Sequence, residues 1–108
     1  MDIKIYQNPN GIEPFAEWLS FIKDAVTVAR IRSRLRRVEE TGNMGDYRSV
    51  GNGVFEFRFQ FGAGYRVYFG RIADDAILLL RGGEKRSQSR DIEKAKADWK
   101  LHNSRDQE

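Results

Sequence analysis

The chain contains no cysteine, which excludes disulfide staples, thiolate nucleophiles and zinc sites built on sulfur, and which suits a reducing compartment. Its single histidine, His102, has no second imidazole with which to form a metal site or an acid–base pair, so no metal and no cofactor is expected. Long hydrophobic runs are also missing. The longest, residues 76–80, is far too short to span a bilayer, and the opening MDIKIYQNPN has no apolar signal core. No membrane association is expected, and the cytoplasm is the expected location. Excess charge of one sign is scarce too, since 19 Lys and Arg against 16 Asp and Glu leave a formal +3. So small an excess favours a polyanion only where it is concentrated on one surface.

What is present suffices for one core. A length of 108 residues is that of a single domain, and seven Phe, four Tyr and two Trp supply bulky apolar surface although the hydrophobic fraction is only 40%. One domain is expected over residues 1–101, followed by a frayed polar tail over 102–108. Residues 2–6 alternate, with Ile3 and Ile5 on one side, and Asn8, Pro9, Asn10 and Gly11 close this short strand with a turn. From Glu13 the period changes. Phe15, Trp18, Leu19 and Ile22 recur at helical spacing to about Lys23, and Pro14 suits a first helical turn because its missing N–H would be unpaired there. A second helix is predicted from Asp24 as N-cap to Gly42 as the left-handed stop, with Val28, Ile31, Leu35 and Val38 on one stripe. The two helices read as a hairpin laid on a flat surface.

That surface follows. Residues 54–61 place Phe55, Phe57, Phe59 and Phe61 on one face and Glu56, Arg58 and Gln60 on the other, a period of two. The helices are expected on the phenylalanine face. Gly62 and Gly64 flank a turn into Tyr65, Val67 and Phe69, which alternate with Arg66, Tyr68 and Gly70, so a hairpin is the simplest pairing. Asp74 and Asp75 make a second turn, and the wholly apolar strand 76–80 is expected to be central. After Gly82 and Gly83, a last helix is predicted over about 89–101 with Ile92, Ala95 and Trp99 as its stripe. The fold class is α+β: a short N-terminal strand, a helical hairpin on one face of a mainly antiparallel sheet, and a C-terminal helix.

Two groups of residues are candidates for chemistry. Arg30, Arg32, Arg34, Arg36 and Arg37 flank the apolar stripe of the second helix. They form either a solvated face whose stems shield the core edge or a phosphate-contacting ridge in which Arg30, Arg34 and Arg37 hold RNA. Arg58, Arg66 and Tyr68 project from neighbouring strands to the side opposite the phenylalanines, and Lys85 and Arg86 emerge after the next strand. These are either ordinary outward-facing strand residues or a basic groove that holds a phosphodiester and stacks a base.

The wording of the second half resembles a known family. Gly51-Asn52-Gly53-Val54 with Phe55, Glu56, Phe57 and Arg58, then Gly62-Ala63-Gly64-Tyr65-Arg66-Val67-Tyr68-Phe69, then Leu79 and Leu80 followed by Gly82, Gly83 and Lys85, and finally Asp91, Ile92, Ala95 and Trp99, are similar to the RelE/ParE superfamily. Within it the likeness is to the HigB-like, phage-derived addiction module killer proteins. The resemblance implies a RelE/ParE-like fold and a type II toxin that cuts mRNA, commonly on the ribosome, without a metal. It also implies a cognate antitoxin, expected to be a small helix-turn-helix protein. By position Arg58, Arg66 and Arg86 match arginines that contact phosphate and transition state, Lys85 is the acid–base candidate, and Tyr68 stacks or donates a hydrogen bond. Ile92 stands where RelE-type enzymes have a tyrosine. The same scaffold carries ParE-type toxins that inhibit gyrase without catalysis, and a binding module that has lost catalysis is a third alternative.

Overall fold

The structure, a computed structural model, describes residues 1–106, with only the backbone of Asp106. Alternation builds a five-stranded sheet from β1 (Asp2–Ile5), β2 (Tyr47–Gly51), β3 (Val54–Arg58), β4 (Tyr65–Ala73) and β5 (Ala76–Glu84). The strand order is β1-β5-β4-β3-β2, and the last four strands in sequence form an antiparallel meander. β1 pairs in parallel with β5, so β5 is hydrogen-bonded on both edges, as its unbroken apolar run requires.

The helical hairpin is α1 (Pro14–Phe21) and α2 (Ala25–Thr41). Pro14 opens α1, the Asp24 carboxylate accepts a hydrogen bond from the Val26 N–H at 3.2 Å, and Gly42 ends α2 at φ 75°. Both helices lie on the phenylalanine face. Phe15 and Leu19 of α1 and Ile31, Leu35 and Val38 of α2 share one core with Phe57, Phe59, Val67, Phe69, Ile77 and Leu79. Phe57 and Phe69 stack at 4.3 Å between centroids, and each such buried ring contributes about 1.5–3 kcal/mol through burial alone.

The other face is not the open groove expected from alternation. A 3₁₀ turn (Lys85–Ser87) leads into α3 (Gln88–Asp106), which lies across β3, β4 and β5 on the side away from the hairpin. Ala95 of α3 forms a second core with Tyr6, Val54, Tyr68, Leu78 and Leu80, against which Ile92 and Trp99 pack. An apolar stripe on a helix demands an apolar partner, and the meander's second face is the one α1 and α2 leave uncovered.

Gly82 and Gly83 lie within β5 rather than after it. A Cβ on Gly82 would stand 2.1 Å from Trp18, and one on Gly83 would stand 2.0 Å from Asp91. The pair therefore admits α1 on one face and α3 on the other. α3 also runs past the expected stop at Leu101. His102 stacks on Trp99 at 5.6 Å and Arg105 donates to the Gln7 carbonyl at 3.1 Å, which ties this stretch to the segment just after β1. Of the expected tail, residues 107–108 lie outside the described residues. No helix among the described residues is long and apolar enough to cross a membrane.

Candidate nucleic-acid interface

Spacings of four and three put Arg30, Arg34 and Arg37 on one flank of α2, while Arg32 and Arg36 line the opposite flank beside Ile3 and Phe15. The first flank faces the end of β3 across an open cleft of about 610 Å³ that is also lined by Asp46, Arg58, Phe59, Gln60 and Phe61. Four arginines thus face one aspartate, an excess as large as the formal +3 of the whole chain. The mild global charge is concentrated here.

The four arginines are not equivalent. Arg34 is a clamp: its guanidinium donates to the carbonyls of Arg58, Met44 (3.1 Å) and Asp46 (2.6 Å), and it lies 5.2 Å and 4.7 Å from the ring centroids of Phe57 and Phe59. Burial pushes its guanidinium below the ordinary arginine value, an effect that Asp46 opposes. Arg58 donates to the Asp46 carboxylate through Nε (3.1 Å) and Nη2 (2.8 Å). Gln60 also donates to that carboxylate at 2.8 Å, and these bonds, that of Gln60 first, hold Asp46 below the usual carboxylate range. Arg30 and Arg37 are exposed, and neither forms an ion pair among the described residues. The Arg30 guanidinium lies over Phe61, 4.3 Å from its centroid.

A second cleft of about 310 Å³ shares Phe59, Gln60 and Phe61 with the first and is also lined by Gly62, Ala63, Gly64, Arg66 and Lys85. Gly64 has φ 71°, a left-handed value that glycine adopts freely, and a Cβ there would come within 3.1 Å of the Lys85 Cβ. The hairpin arm, residues 59–64 joining β3 to β4, therefore presses directly on Lys85, whose backbone N–H reaches the Ala63 carbonyl at 3.4 Å. Arg66 is only 7% exposed. Its Nη1 turns back to the carbonyls of Gly64 (3.2 Å) and Tyr65 (3.1 Å), while its Nε has no acceptor.

Of the five residues expected to act on a phosphodiester, only Arg66 and Lys85 share a cleft. Arg58 and Arg66 are direct cross-strand partners on the same side of the sheet, yet the Arg58 guanidinium swings to Asp46 and serves the α2 cleft. Asp46 relieves what would otherwise be a like-charge pair. Arg86 lines neither cleft; its side chain is 87% exposed and paired with Glu84 at 3.0 Å. Tyr68 cannot stack a base, because it is sealed beneath α3 at 0% exposure and its hydroxyl is unpartnered. Burial, then the charges of Glu56 and Asp91, push that phenol well above its ordinary pKa. Glu56, expected to point outward, is also fully buried and accepts from Arg48 (2.7 Å) and Gln88 (3.1 and 3.0 Å). Asp46, Gln60 and Phe61 are the cleft-lining residues that sequence reasoning missed. For Phe61 a signal existed, its place at the tip of the phenylalanine alternation beside the glycine turn. Among the described residues no group of three or more His, Asp or Glu side chains is placed to hold a metal ion.

No protein-family model matches the chain. An uncharacterized protein of Haemophilus influenzae is 43% identical over 82 residues, which span 76% of this chain and 82% of that protein. The chain belongs to that protein's family. Common descent at this identity carries the fold, and the chemistry of the site rests on its geometry.

Proposed function

We propose that this protein is a RelE/ParE-type toxin that draws a single-stranded segment of mRNA across its hairpin arm and cleaves it without a metal, until a small helix-turn-helix antitoxin binds it. The observation that carries the reading is the common wall of Phe59, Gln60 and Phe61, which joins a four-arginine cleft to the cleft holding Arg66 and Lys85. A polyanion needs a continuous cationic track, and a single strand also needs aromatic surface for its bases. In cleavage, a substrate 2′-hydroxyl attacks the adjacent phosphorus and the bond to the 5′-oxygen breaks, leaving a 2′,3′-cyclic phosphate and a 5′-hydroxyl. Arg66 stabilises the charge that builds on the phosphorane oxygens, and Lys85 takes the proton from the 2′-hydroxyl and returns it to the departing 5′-oxygen.

A second reading is a toxin that binds without cutting, either on RNA or, like ParE, on gyrase. The sealing of Tyr68 and the pairing of Arg58 and Arg86 favour it, since they leave fewer groups for catalysis than the family resemblance implies. Inducing the protein in cells while following transcript integrity and plasmid supercoiling separates the readings. The nuclease reading predicts cut messages that disappear with Lys85→Ala, a substitution at an exposed position that should leave the fold intact. Intact messages with relaxed or broken DNA would move the assignment to gyrase.

A further inference from the structure

The α2 cleft holds more than positive charge. Phe61 is half-buried, lines both clefts and packs against Tyr65 at 5.7 Å and Phe59 at 6.1 Å between centroids. The guanidinium of Arg30 lies over the ring, 4.3 Å from its centroid, and Arg30 is an exposed side chain with no carboxylate partner among the described residues. A flat cation resting on an aromatic ring occupies the place where a flat base would stack, and a base there leaves the guanidinium free for the neighbouring phosphate. Arg37 lies two helical turns further along the same flank, equally exposed and unpaired. Arg34 and Arg58 are held by carbonyls and by Asp46, so they supply a fixed positive field rather than mobile contacts.

We propose that this cleft is a nucleotide subsite, in which one base of a single-stranded RNA stacks on Phe61 and the adjoining phosphates meet Arg30 and Arg37. It rests on the RNA reading above and adds a place for the residues that flank the cut. An acidic polypeptide would satisfy the arginines but would gain nothing specific from the Phe61 ring, so the Arg30–Phe61 pair favours the nucleotide. The subsite sets how tightly, and in which register, the strand enters the Arg66/Lys85 cleft. Its stacking contact tolerates any base.

The test uses the full chain carrying Lys85→Ala, so that RNA is not consumed, and a short fluorescein-labelled single-stranded RNA followed by anisotropy. Phe61→Leu should weaken binding about tenfold, and Phe61→Trp, which keeps a stacking surface, should restore it. An RNA with one abasic position should bind the parent more weakly, and Phe61→Leu should erase part of that difference. Arg37→Gln should flatten the salt dependence by about 0.7 in the log–log slope for one lost phosphate contact. The subsite alone is overturned if the parent binds RNA and the Phe61 and Arg37 variants bind as tightly with the same slope. Should the parent bind no RNA while polyglutamate binds in an Arg37-dependent way, the RNA reading falls with it and the cleft belongs to an acidic protein partner.

Discussion

Arg34 and Arg37 stand three residues apart on one flank of α2, the first held by three carbonyls and the second exposed, so replacing each by methionine should produce opposite results. In Arg34→Met the methionine retains an apolar stem against Phe57 and Phe59 but abandons the carbonyls of Arg58, Met44 and Asp46. Hydrogen bonds from a charged donor contribute about 1.5–3 kcal/mol each. They do not add independently when they share one guanidinium, and water in the open cleft resolvates part of what is lost. A net cost of about 3 kcal/mol follows, which for a domain of this size lowers Tm by roughly 12–24 °C. Arg37→Met removes an exposed, unpaired side chain and should stay within about 0.5 kcal/mol of the parent while weakening RNA binding. Urea unfolding followed by circular dichroism reads both, with an unchanged m-value as the check that only stability has moved. If Arg34→Met is as stable as the parent, the clamp is not holding α2 to the end of β3 and the division into structural and ligand-facing arginines fails.

Three further outcomes are expected. Gly82→Ala should destabilise the fold by about 1–3 kcal/mol through collision with Trp18, and Trp18→Ala in the same chain should make that substitution nearly free; additive losses would disprove the contact. Tyr68→Phe should leave RNA cleavage unchanged and stability equal or up to about 1 kcal/mol higher, because it deletes an unpartnered buried hydroxyl; lost activity in a folded protein would return Tyr68 to the site. The depressed Asp46 carboxyl contributes stability that is complete above the ordinary aspartate range, near pH 4, and is lost as pH falls through the lowered value. Asp46→Asn should therefore flatten the acid limb of the stability profile, and an unchanged limb would show that Gln60 and Arg58 do not hold the charge.

Much of the scaffold is legible in the sequence because its signals are local. Asp24 and Gly42 bound α2 through capping chemistry confined to a few residues, and the Phe55 to Phe61 alternation names the face the helices cover. β2 is not legible, since Tyr47, Arg48 and Ser49 on an exposed sheet edge need no apolar alternation. Nor is the destination of α3: Ile92, Ala95 and Trp99 announce that a face is buried without naming what buries it, and that choice turned an expected groove into a second core. The site suffers from the same limit. Strand parity correctly puts Arg58 and Arg66 on one side of the sheet, but a long guanidinium follows its acceptors, and Asp46 lies twelve residues away in sequence beside a strand that pattern does not reveal.

In the proposed function an RNA strand lies over residues 59–64, which share one cleft with Arg66 and Lys85. Photo-crosslinking the Lys85→Ala protein to a 4-thiouridine-substituted single-stranded RNA, with the adducts mapped by mass spectrometry, tests this most directly. Adducts on peptides carrying Phe61, Tyr65 or the adjoining flank of α2 are predicted. Adducts confined to the outer surface of α3, or none above those of a heat-unfolded control, would contradict it.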